Sequence, residues 1–108
     1  MATTSETPVL DTLAAMTLDS IERCGLAPDM FMLTRIAALA ASDAPPISYL
    51  AHIDPAVRAG VTTEQLQDVL VAIAPIVGTA RVMTAAGNLT AAFGIAIAVA
   101  EAEAETQP

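Results

Sequence analysis

The chain has 108 residues, 55% of them apolar, and a net charge of −8 from 12 acids against four basic residues, all arginine. That length suits one domain with its own core. The acidic balance repels phosphate backbones and anionic lipid, which argues against nucleic acid and membrane as partners. A single cysteine, Cys24, excludes an internal disulfide, a CxxC redox pair and a thiolate metal cluster. Neither a cofactor nor a metal is called for.

Alanine and aliphatic side chains dominate, and the aromatics are only Phe31, Tyr49 and Phe93. Nothing alternates with period two, and no Asn-Gly or Asp-Gly hairpin signal occurs. The expected fold is all-α, a compact domain of about five helices packed into a homo-oligomer. Residues 1–8 are polar, end in Pro8 and are expected to be a disordered start. No basic region precedes an apolar run, so a cytoplasmic location is expected.

The first helix is expected over about 9–24, with Leu10, Leu13, Ile21 and Cys24 near helical spacing and Gly25 just beyond. A second helix opens near Asp29, a candidate cap, and closes near Ser42 before the prolines at 45 and 46. Arg35 stands in the middle of it among apolar residues. Such an arginine either packs its stem and sends its head to water, or clamps an anion in a pocket.

The segment "PPISYLAHIDPAVRAG", 45–60, holds the only histidine and the only tyrosine. Pro46 fits a first helical turn. Pro55 either kinks a continuous helix just after His52, or marks a second short helix that Asp54 caps. Next, Thr62 and Gln65 match a capping box, and Leu66, Val69, Leu70 and Ile73 form the apolar stripe of a fourth helix. Pro75 would kink or end it. The last helix is expected from about Thr79 to Glu103, with 82–100 free of charge. Thr84, Asn88, Thr90 and two glycines speak against a membrane span, as does "EAEAE" in place of a basic flank. A helix apolar all round is equally suited to burial between subunits, and Gly87 and Gly94 would allow close backbone contact.

The stretch "HIDPAVRAGVTTEQLQDVLVAIAPIVGTARVMTAA", 52–86, resembles the carboxymuconolactone decarboxylase family, which includes the alkylhydroperoxidase D-like proteins. His52 stands eight residues before Gly60, Val61 and Thr62 follow, Glu64 opens the next helix, and Gly78 precedes an alanine-rich one. "RIAALAAS" upstream is similar to the family's apolar helix before the active site. The resemblance covers about 30–100 and implies an all-helical fold of the alkylhydroperoxidase D-like type over 9–104, with 105–108 as an acidic tail. It also implies assembly into dimers, trimers or hexamers.

The departures from that pattern bear on activity. In the branch that reduces peroxides, a CxxC precedes the histidine; the corresponding positions here are Pro45 and Ser48. The acid of the preceding helix would fall at Leu33 or Arg35. Thiol peroxidase activity is therefore not expected. The decarboxylase branch needs no redox thiols, so a lyase acting on a small carboxylate stays open. His52 and Ser48 would be its catalytic pair, with Arg35 and Tyr49 binding substrate. Ser48, Tyr49 and His52 would share one helix face. In the alternative reading, His52 is scaffold, satisfied by a carbonyl such as that of Ala51. The protein is then a non-catalytic oligomer binding a small apolar ligand or a partner.

Overall fold

A computed structural model describes residues 5–94 of the chain. Six helices and no strand occur among them: α1 (Pro8–Arg23), α2 (Pro28–Ala41), α3 (Pro46–Leu50), α4 (Ile53–Arg58), α5 (Thr63–Val77) and α6 (Thr79–Phe93). The all-α expectation holds. The helix count differs because the segment from Pro46 to Arg58 is two short helices rather than one.

α2 is the central element and packs against α3, α4, α5 and α6. The reason lies in its spacing: Met32, Ile36 and Ala40 recur every fourth residue and are all buried. Ile36 and Ala40 meet Leu66 and Leu70 of α5, Ala85, Ala86 and Leu89 of α6, and Tyr49 of α3 in a single core. Alanine at 40, 85 and 86 lets the helix axes approach closely, while Ile36 and Leu89, both fully buried, fill the space between. α1 lies outside this core and buries none of its residues.

Most helix ends follow from local chemistry. The Thr62 hydroxyl accepts from the Gln65 N–H at 3.1 Å, and the Gln65 side chain accepts from the Thr62 N–H at 2.9 Å. That is the expected capping box, and it starts α5. Pro75 lies inside α5 without ending it; Gly78 ends it, at φ 98°, a conformation that favours glycine. α2 starts one residue before Asp29: Pro28 takes the first turn, Ala27 is the N-cap, and Asp29 accepts from the Met30 N–H instead of capping. The other end of α2 closes as a Schellman turn, with Asp43 N–H to Ala40 O and Ala44 N–H to Leu39 O. Asp43 holds the left-handed position there at φ 53°. α1 ends through extended backbone at Cys24, with no left-handed glycine at 25.

α6 stops at Phe93, and Gly94 takes a left-handed conformation at φ 65°. The rest of the long helix expected to reach Glu103, and the acidic tail, lie outside the described residues. Within the protomer Gly87 has open space beside it, so the close backbone contact it would allow is not made among the described residues. No helix among the described residues is long and apolar enough to cross a membrane.

Among the described residues one long-range polar contact ties the bundle. The Arg81 guanidinium, from the first turn of α6, donates to the Ala41 carbonyl at the C-terminus of α2 at 2.7 Å. A cation there meets both an orphan carbonyl and the negative end of the helix dipole. Arg81→Met should cost about 1 kcal/mol, read as a lower urea midpoint with an unchanged m-value.

Candidate functional site

The break between α3 and α4 builds the site. At the end of α3, Ala51 N–H bonds to Ile47 O and His52 N–H to Tyr49 O, each at 3.0 Å. The second of these is the tighter three-residue turn that closes a helix. His52 then becomes the N-cap of α4, its carbonyl accepting from the Ala56 N–H at 3.1 Å. Pro55 falls in the first turn of α4, where its missing donor costs nothing. Of the two arrangements open for Pro55, two short helices is the observed one, but the cap is His52 and not Asp54, which lies inside the first turn of α4.

Breaking the helix here frees the Ser48 carbonyl, which a continuous helix would pair with the His52 N–H. The His52 ring takes it instead, with Nδ1 2.6 Å from Ser48 O. A carbonyl only accepts, so Nδ1 carries a proton and donates, and in the neutral ring Nε2 is the acceptor. The imidazole is thereby fixed in both orientation and tautomer by the residue four positions earlier. The accepting carbonyl is that of Ser48, not that of Ala51.

Arg35 comes from α2. Its guanidinium lies over the ring of Phe31, one turn earlier, with Cζ 4.5 Å from the ring centroid. It forms no ion pair among the described residues; the two that occur there are Arg23–Asp19 and Arg58–Asp54, both on exposed surface. Arg35 and His52 line one cavity of about 160 Å³, closed on another side by Thr17 and Ile21 of α1. Two of the residues expected at the site thus meet.

The other two do not join them there. Tyr49 is 1% exposed and belongs to the core, facing α6 rather than the cavity. Ser48 contributes a backbone carbonyl, and its side chain is not among the groups lining the cavity. The expected common face is divided because the helix that would carry it ends before His52. Burial, and secondarily the charge of Asp43, pushes the Tyr49 phenol above its ordinary pKa of 10.0. Phe31 and Thr17 were not foreseen at the site. The i, i+4 spacing of Phe31 and Arg35 was a readable signal for the first; the position of Thr17 depends on how α1 docks. No cluster of histidine, cysteine and acids with metal-binding geometry occurs among the described residues.

The sequence model of the carboxymuconolactone decarboxylase family matches residues 7–92. The chain belongs to this family. No curated protein and no solved structure matches it. As a family member it combines an all-helical domain with proline at 45 and serine at 48, and the serine reaches the histidine through its backbone alone.

The buried phenol sets a pH signature for the fold. Burial favours the neutral form, so the folded-state pKa lies above the unfolded one. The stabilisation is complete below pH ~10 and is lost as pH rises, because the unfolded chain ionises first. The chain has no lysine and one tyrosine, so little else titrates in that range. Tyr49→Phe should flatten the fall in stability above pH ~10, measured by urea unfolding across the alkaline range.

Proposed function

We propose that this family member is a thiol-independent acid–base enzyme, a decarboxylase-like lyase, acting on a small carboxylate. The observation that carries the reading is that Arg35 and His52 line the same cavity, with Nδ1 of His52 already committed to Ser48 O. Nε2 is then the ring atom available to move a proton, and Arg35 supplies positive charge without a carboxylate partner among the described residues. In a decarboxylase-like step the bond to the departing carboxylate breaks. Its electron pair enters a conjugated carbonyl to give an enolate, and the carbon then takes a proton that Nε2 has first accepted from water, which returns the ring to its neutral form. Arg35 binds the anionic group, and Phe31 holds the guanidinium in place through its ring face. In this reading Ser48 is a positioning residue that acts through its carbonyl. Tyr49 supports the site from the core.

The bond from Nδ1 to a carbonyl would also suit a histidine kept as scaffold, so the two roles separate on variants. His52→Gln should lower turnover by a factor of about 10² to 10⁴, with the melting temperature nearly unchanged. A structural histidine gives the reverse: reduced stability and intact ligand binding. Ser48→Ala keeps the carbonyl and should stay within a few-fold of the parent, whereas Arg35→Met should raise KM more than it lowers kcat. Peroxide turnover that vanishes in Cys24→Ser would overturn the thiol-independent assignment.

A second reading, a non-catalytic oligomer binding a small ligand or a partner, draws on α1. Val9, Leu10, Leu13, Met16, Leu18 and Ile21 are each more than half exposed, an apolar surface that a monomer would leave in water. We infer that α1 packs against further copies of the chain, whichever reading of the cavity holds. Sedimentation velocity at micromolar concentration should show an oligomer, and Leu10→Glu with Leu13→Glu should shift it toward monomer; a monomeric parent overturns the assembly.

A further inference from the structure

The cavity that holds Arg35 and His52 does not stand alone. A second, larger cavity of about 300 Å³ adjoins it, and the two share Ile21, Phe31, Met32 and Pro55 as common wall. Beyond that wall the larger lobe is closed by Cys24, Leu26, Pro28 and Ala59. No charged side chain among the described residues lines this lobe. The two lie side by side between α1, α2 and α4, the smaller one cationic and the larger one apolar, with only those shared side chains between them.

A pair of cavities of this polarity selects a ligand of the same polarity. We propose that the substrate class of this site is an amphiphilic monocarboxylate: a carboxylate head, with the carbonyl that takes up the electron pair beside it, at Arg35 and His52, and an unbranched or alicyclic hydrocarbon tail in the lobe that ends at Cys24 and Ala59. The proposal rests on the acid-binding role assigned above to Arg35. Three observations favour this occupant. The first is charge: in a chain of net charge −8, Arg35 faces the smaller cavity without an ion pair among the described residues. The second is lining: a second ionised group on the ligand would be carried into a lobe walled by Leu26, Pro28 and Met32, with no partner for it there. The third is size: taking a methylene as roughly one water volume, about 30 Å³, the larger lobe holds a tail of roughly six to eight carbons with room to spare.

The test is calorimetric titration of the full chain at neutral pH with straight-chain carboxylates from butyrate to decanoate, each below its micellar concentration. Affinity should rise about three- to fourfold per added methylene, as expected for burial of apolar surface, and level off once the lobe is full. The primary amine of the same length as octanoate should bind at least tenfold more weakly, and Arg35→Met should weaken every acid. Ala59→Leu, which fills the far lobe, should weaken octanoate and spare butyrate. The unaltered protein provides an independent readout: octanoate should slow alkylation of Cys24 by iodoacetamide, and butyrate should not. Acids that bind with no dependence on length, or that leave Cys24 alkylation unchanged at saturation, overturn the tail assignment while the carboxylate site stands. Absence of binding at every length overturns both, and equal binding of the amine overturns the role of Arg35.

Discussion

Pro55 has no amide hydrogen to offer the Ala51 carbonyl, and the architecture of the site follows from that one missing donor. A continuous helix from Pro46 to Arg58 would carry an unpaired carbonyl and a ring clash in its interior. The chain avoids the clash by ending α3 at Leu50 and starting α4 at Ile53, which moves the proline into a first turn and leaves the Ala51 carbonyl outside either helix. The same break releases the Ser48 carbonyl, and the His52 side chain takes it. One backbone constraint therefore sets where the histidine stands, which ring nitrogen is protonated and which is free. It also separates Tyr49, committed to the core, from His52, committed to the cavity.

The rest of the bundle supports this arrangement from the other side of α2. That helix buries Ile36 and Ala40 in the core, while Phe31, Met32 and Arg35 line the cavity. Core and site are thus two faces of the same element. The Schellman turn at Asp43 and the bond from Arg81 close its C-terminal end. A displacement of α2 would disturb both the packing against α5 and α6 and the approach of Arg35 to His52.

α1 plays a different part. It contributes Thr17 and Ile21 to the walls of the smaller cavity, yet buries none of its own residues. An amphipathic helix is stable in water chiefly when its apolar face is covered. Assembly through α1 would complete that coverage and would also hold one wall of the cavity in place. Oligomerisation and ligand binding would in that case be linked through a single helix.

Much of this was legible in the residues themselves. Helical class followed from alanine content and the absence of period-two alternation. The start of α5 followed from Thr62 and Gln65, whose capping box is a local interaction needing no tertiary partner. The order of His52, Gly60, Thr62 and Gly78 carried the family. The irregular backbone around Pro55 was visible because proline acts on its own chain neighbours. What could not be read were directions in space. Tyr49 and His52 are three residues apart, a spacing that puts two side chains on one face only while the helix continues; the break sends them to opposite environments. Arg81 reaches a carbonyl 40 residues away, and no local rule connects such positions. The place of Thr17, the shared wall of the two cavities and the lack of an ion pair at Arg35 among the described residues depend on how separate helices dock. Sequence determined which elements form and where they stop, because capping, proline and glycine act within a turn. Tertiary packing alone decided which side chains face one another across the cavity.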